Sequence, residues 1–222
     1  MKYPLFISTI LASGLLFAHD YSNDYEKVDV KSLSLTTDEF NQFVIEAGSG
    51  SLTIVGSDQD IIEVSADIYQ RESGNKYCLT LAPSKKSKKV AQLEANTCYH
   101  NNDTRIDLSI TMPKSLITRI NDGSGFIQIE NATIKSINDG SGRIEINNNY
   151  TSLTINDGSG AIEVNNNMGD LLIEDGSGSI DVDDVSGNVS IDDGSGSISV
   201  SNAQKFTLLG DGSGSVSLDN VN

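Results

Sequence analysis

The sequence predicts an all-β fold, a parallel β-helix or β-solenoid built from two-strand coils of about 18 residues. Three observations predict it. Asp-Gly-Ser-Gly occurs at Asp122–Gly125, Asp139–Gly142, Asp157–Gly160, Asp175–Gly178, Asp193–Gly196 and Asp211–Gly214, spaced by 17 residues once and by 18 thereafter. Each copy is followed by an apolar–polar–apolar triplet: Ile127/Ile129, Ile144/Ile146, Ile162/Val164, Ile180/Val182, Ile198/Val200 and Val216/Leu218. Each is preceded by a second apolar ladder, Ile120, Ile137, Ile155, Ile173, Ile191 and Leu209. A fixed short period means one coil stacked on the next.

Within a coil, strand alternation sends both members of each triplet inward and leaves Gln128, Glu145, Glu163, Asp181, Ser199 and Ser217 facing water. A polar turn rich in Asn and Gly follows, at Asn147–Asn149, Asn165–Asn167 and Ser186–Asn188. Leu153, Leu171 and Val189 add a second inward contact two residues before the ladder. Ile117, Ile134 and Phe206 stand three residues before it, so those coils are expected to contain bulges. The two ladders should meet and leave no room for an internal pocket.

Ahead of the regular part, Phe43–Ile45 and Leu52–Ile54 flank Ala47-Gly48-Ser49-Gly50, a diverged copy with Ala47 in place of the Asp. Ile62–Ile68 and Arg105–Met112 alternate with period two and read as strands, the latter ended by Pro113. Between them the pattern breaks. Residues 70–104 hold Cys78, Cys98, Pro83 and a lysine cluster, and read as an insertion projecting from the solenoid and stapled by a Cys78–Cys98 disulfide. Leu79–Leu81 suits a strand, and Val90–Ala95 suits a short helix or a strand.

The domain organisation expected is a signal peptide at 1–18, an N-terminal leader at 19–42 and a single β-solenoid domain at 43–222. Lys2 followed by the apolar run Leu5–Phe17 has the layout of a secretory signal, too short for a membrane span. No later segment is long and apolar enough to span, so the mature chain is expected to carry no membrane segment. Export also suits the cysteine pair, since disulfides persist in oxidising compartments. Closing a loop of this size stabilises by roughly 3 kcal/mol in the chain-entropy account.

The net charge is −16 and unevenly spread. From Ile120 onward there are 16 acidic and 3 basic residues; from Arg71 to Arg105 there are 7 basic and 3 acidic, including Lys85, Lys86, Lys88 and Lys89. An acidic rod does not suit nucleic acid or anionic lipid along its length.

The Gly-Ser-Gly coil, the strand–Pro boundary Ile110-Thr111-Met112-Pro113 and the export signal together resemble a bacterial putative-adhesin family of unknown function. The resemblance spans about Phe43 to Asn222 apart from the cysteine insertion. It implies a right-handed β-helix and a periplasmic, cell-surface or secreted location. The family has no established catalytic residues, so none carry over, and architecture does not fix function.

The Asp column invites two readings. In the structural one, Gly after Asp allows an unusual turn, and Asp122, Asp139, Asp157, Asp175, Asp193 and Asp211 each accept from the N–H two residues on. In the other, the column is a Ca²⁺ ladder, because carboxylates about 4.8 Å apart repel by roughly 0.9 kcal/mol per pair even in water. Calcium β-rolls carry two Gly turns per 18 residues with the acid after the glycines. This chain has one such turn per coil, with the acid before them. No cofactor is required by the first reading.

Enzymatic constellations are lacking: the only histidines are His19 and His100, and the repeated Ser has no Gly-x-Ser-x-Gly elbow. Glu145 and Glu163 occupy equivalent positions of adjacent coils, which reads as a solvated acidic face rather than a glycosidase pair. The expected function is a non-catalytic, exported structural or interaction module. Its partner would be a protein or an envelope or surface glycan, met through the insertion or the last strand edge. That edge also offers a route to an edge-to-edge dimer.

Overall fold

A computed structural model describes residues 25–72, 74–98 and 103–221. The expected signal peptide, the start of the leader and both histidines lie outside those residues. Among the described residues every regular element is a strand, and no helix is long and apolar enough to cross a membrane.

Seventeen strands form one continuous hydrogen-bonded system. The first seven are β1 (Glu26–Thr36), β2 (Gln42–Ala47), β3 (Leu52–Ser57), β4 (Ile61–Gln70), β5 (Leu79–Pro83), β6 (Val90–Ala95) and β7 (Thr104–Pro113). The regular coils follow as β8 (Ile117–Asp122), β9 (Ile127–Ala132), β10 (Ile134–Asp139), β11 (Ile144–Asn149), β12 (Leu153–Asp157), β13 (Ile162–Asn167) and β14 (Leu171–Asp175). β15 (Gly178–Asp193) and β16 (Gly196–Asp211) each run through both sides of a coil, and β17 (Gly214–Val221) ends the stack.

The strands stack in two parallel columns. One runs β7–β3–β9–β11–β13–β15–β16–β17. The other runs β6–β2–β8–β10–β12–β14–β15–β16. Equivalent repeat residues face each other rung by rung: Ile144 opposite Ile162, Ile155 opposite Ile173, Asp157 opposite Asp175. The inward triplets and ladder residues from Ile120 to Val200 are fully or almost fully buried. β-branched Ile and Val suit such columns because their restricted side chains pack well on a pleated surface. Of the three coils expected to bulge, two show it: the register shifts between Ile134 and Ser136 where β10 meets β8, and between Val185 and Asn188 where β15 meets the Phe206 strand, whereas the Ile117 strand pairs with β2 without a shift.

Two ladder assignments need correction. Ile117 is exposed, and Thr118 takes the inward place opposite Ile134. A register shift after Ile191 sets Leu208, not Leu209, opposite it. Both leucines are exposed, since among the described residues β17 pairs only with Gly196–Ala203 of β16.

The larger departure is at the N-terminal end. The diverged coil β2–β3 is first in sequence but second in space. It lies between β6–β7 on one side and β8–β9 on the other, with Ile45 facing both Leu93 and Ile120, and Leu52 facing both Leu108 and Ile127. Residues 70–104 are therefore not a projecting insertion. Val90–Ala95 is a solenoid strand whose Ala91, Leu93 and Ala95 are buried in the core. Nor is 19–42 only a leader, because Glu26–Thr36 pairs antiparallel with β4, which pairs antiparallel with β7. β5 closes the other column, antiparallel to β6.

Reversing strand direction here ends the repeat without leaving the first coil's inward face bare. Leu33 and Leu35 from β1 and Leu79 from β5 pack on the core as they seal it. Arg105 lies over the rings of both Tyr69 and Tyr25, and Arg71 lies over Tyr25. Cys78 and Cys98 form the expected disulfide. It ties Cys78, just before β5, to Cys98, three residues after β6, and Asn96 N–H donates to the Cys78 carbonyl at 2.8 Å.

Candidate functional site

The repeat turns build a corner column down one side of the rod. Glycine is required there by close approach. At Gly160, with φ of 147°, a Cβ would run into the carbonyl oxygen of Gly142, and the relation repeats on neighbouring rungs. Rung-to-rung bonds join the turns: Gly142 N–H to Ser159 O at 2.9 Å, Gly160 N–H to Ser177 O at 2.9 Å, and Gly158 N–H to Asp139 O at 3.1 Å.

The Asp ends the strand before each turn, two places after the ladder residue, so alternation points it inward. Asp122, Asp139, Asp157, Asp175 and Asp193 are all at least nine-tenths buried, and Asp211 on the last rung is exposed. Strand pairing sets all six opposite one another in sequence. The expected turn bond is present: the N–H two residues on donates to Asp157 Oδ1 at 3.3 Å, to Asp175 Oδ1 at 3.2 Å and to Asp193 Oδ1 at 3.1 Å.

The second oxygen of each of those three is buried with no partner, as are both oxygens of Asp122 and Asp139. Among the described residues, none of the ion pairs reaches them. Burial first, and then the charge of Asp139, push Asp122 up to about 7. Burial followed by Asp139 takes Asp157 to about 6, and burial followed by Asp157 takes Asp175 to about 6. Asp139 and Asp193 are raised in the same direction, again chiefly by burial.

Beside this column an open groove runs along the turns. It is lined by Asn138, Asn156, Glu174 and Asp192 with Gly158, Gly176 and Gly194, and its floor is formed by Asp139, Asp157 and Asp175 of the column itself. Asn138 donates to Asn121 at 2.8 Å and Asn156 to Asn138 at 3.1 Å, so the groove wall is itself a hydrogen-bonded ladder. The column holds one carboxyl per rung. Among the described residues, no three His, Cys, Asp or Glu side chains group as a metal ion would need.

The opposite corner was legible only as an Asn-rich turn. In the structure Asn131, Asn148, Asn166, Asp184, Asn202 and Asn220 all adopt positive φ between 51° and 60°. Asn is among the few side chains that tolerate this conformation. Their side chains also bond along the stack, Asn148 to Asn131 at 2.9 Å, Asn166 to Asn148 at 2.6 Å and Asn220 to Asn202 at 2.6 Å. One residue further, Asn149 and Asn167 are fully buried. Asn149 accepts from Ile134 N–H at 2.7 Å and donates to Asn167 at 2.8 Å. The signal for all of these was present in the sequence as Asn recurring with the coil period.

Elsewhere, Glu145 and Glu163 share Arg143, which reaches Glu163 at 2.6 Å and Glu145 at 3.6 Å. Lys85, Lys86, Lys88 and Lys89 are exposed on the β5–β6 loop.

No family model matches the chain, and no curated protein matches it. Solved structures do. A putative cell adhesion protein from Clostridium sporogenes ATCC 15579 aligns over 89% of this chain and 100% of its own, at 13% identity and a TM-score of 0.42. A putative adhesin from Bacteroides fragilis NCTC 9343 aligns over 87% of this chain and 97% of its own, at 15% identity and a TM-score of 0.42. A putative adhesin from Parabacteroides distasonis ATCC 8503 aligns over 85% and 97%, at 11% identity and a TM-score of 0.34.

Proposed function

We propose that this protein is a non-catalytic, exported, adhesin-like module that binds a protein or an envelope or surface glycan along an extended face. One observation carries the reading: its polar side chains are dealt one per rung along a rod. Gln128, Glu145, Glu163, Asp181, Ser199 and Ser217 form a row on one side, and the Asn ladder forms another at a corner. Catalysis needs an acid, a base or a nucleophile converging on one reacting atom. A row of repeated groups instead suits many weak contacts with a long ligand.

β17 is the second contact region. Among the described residues its outer edge has no strand partner, and Val216, Leu218, Leu208 and Leu209 at this end of the stack stand half exposed. Such an edge adds a strand from a partner or from a second copy. The experiment is binding of the purified, labelled chain to intact bacterial cells and to isolated envelope glycan. Saturable binding competed by unlabelled chain is expected. A Val216→Pro variant that melts normally separates edge from face, since the N–H at this register, as at Ile127 and Ile144, is the one that donates to the following rung, and sedimentation reads the edge-to-edge dimer. Absence of saturable binding to either material rejects the reading.

A further inference from the structure

The corner column holds five consecutive carboxyl groups, from Asp122 to Asp193, each at least nine-tenths buried and each with at least one oxygen that has no partner. Within the column each faces the Asp of the next rung. Ala47 lies beyond Asp122, and the exposed Asp211 lies beyond Asp193. Beside the column stand Asn121, Asn138, Asn156, Glu174 and Asp192. The opposite strands turn Ile127, Ile144, Ile162 and Ile180 inward. None of these is a Lys, Arg or His. Five ionised carboxylates would each be stripped of water and each repel the next, with no cation to answer them.

The same molecule shows what resolves such a stack. At this rung spacing Asn156 donates to Asn138, which donates to Asn121, one position away from the Asp column. A side chain that both donates and accepts thus bonds its neighbour one rung along. A carboxylate only accepts, but a carboxylic acid also donates.

We propose that the column binds protons as its ligand: neighbouring carboxyls share hydrogens from rung to rung, so the rod is tightest in mild acid and loosens as the solution becomes alkaline. The inference goes beyond the adhesin-like reading and does not depend on it. The sign follows from the raised values, about 7 at Asp122 and about 6 at Asp157 and Asp175. Folding favours the protonated form. Its contribution is complete below the unfolded carboxylate value and is lost as pH rises from about 4 to about 7.

The test is thermal unfolding of the full chain at constant ionic strength, at about pH 5 and about pH 8. The wild type is expected to melt several degrees higher at the acidic pH. The double variant Asp157→Asn with Asp175→Asn is expected to lose much of that difference and to melt above the wild type at the alkaline pH. Asp181→Asn with Asp219→Asn removes the same charge from exposed sites and should leave the difference in place. Carbon NMR of the wild-type Asp carboxyls supplies a readout that needs no variant: a set titrating near neutrality is expected. The proposal is overturned if all carboxyls have titrated by about pH 5, or if the double variant keeps the whole pH effect. It is also overturned if millimolar CaCl2 at alkaline pH raises wild-type melting to its acid level and leaves the double variant unmoved, since the column would then take a divalent cation.

Discussion

The two corners of the coil solve one geometric problem with different chemistry. Both must reverse the chain within a few residues on every rung, and both stack one side chain directly on the next. At the Asn corner the stacked group is an amide, and the ladder from Asn131 to Asn166 bonds along its length. At the Asp corner it is a carboxyl, and the unfilled oxygens of Asp122, Asp139, Asp157, Asp175 and Asp193 remain inside. The Asn corner takes its conformation from the side chain, with φ near 58° at Asn166. The Asp corner takes it from glycine, because the turns approach too closely for a Cβ. Stacking identical residues is therefore harmless for a group that donates and accepts and costly for one that only accepts.

The largest break in this comparison is at the glycine. Gly160→Ala should cost about 4 kcal/mol, as a backbone clash joined to a strained φ. Chemical denaturation would read the loss, and a cost under about 1 kcal/mol would mean that the turns can spread apart. Next comes the lid. Replacing Cys78 and Cys98 by Ala should lower stability by roughly 3 kcal/mol. Hydrogen exchange should rise first in β5 and β6 and leave β11–β14 protected, since the disulfide joins the residue before β5 to one just after β6. Uniform loss of protection would instead mean that rod and lid unfold as one unit.

Asn166→Ala tests the other corner. It combines a positive φ with a lost ladder bond, and should cost about 1–2 kcal/mol. Asn166→Gly should recover the backbone part while leaving the bond broken. Equal losses for the two variants would show that the side-chain ladder, not the backbone, sets the corner. The smallest effect is expected at the exposed end of the Asp column. Asp211→Asn should change stability by less than about 0.5 kcal/mol and keep most of the pH dependence, removing only its smaller share in the raised Asp193 value, which burial dominates. A large pH effect from this one residue would locate the titration at the last rung and not in the interior.

The regular rod was legible because each rung is a local statement. Gly-Ser-Gly sets the turn, Ile162 and Val164 alternate inward, and the next coil repeats the pattern one period later. The Asp turn bond was legible for the same reason, since it spans only two residues. The burial of the second oxygen was not, because it depends on the neighbouring rungs closing over the corner. The Asn ladder was half legible: the recurrence was visible, but a positive φ and a bond to the residue one coil earlier belong to the stack. The lid was least legible. Val90–Ala95 alternates like any strand, and nothing within it says that its partner is Gln42–Ala47, earlier in the chain.

By itself, then, the sequence determined the coil: its period, its inward Ile and Val columns, its glycine corner and its acidic outer surface. These follow from steric and solvation preferences acting over a few residues. Only the tertiary structure decided the order in which coils stack, with β2–β3 laid between strands that come later in the chain, and the antiparallel lid that closes the first coil. It also decided that the Asp carboxyls lie inside, where each meets its copy on the next rung. Those outcomes depend on which distant strand edges pair, and edges with the same alternation look alike until one partner has excluded the rest.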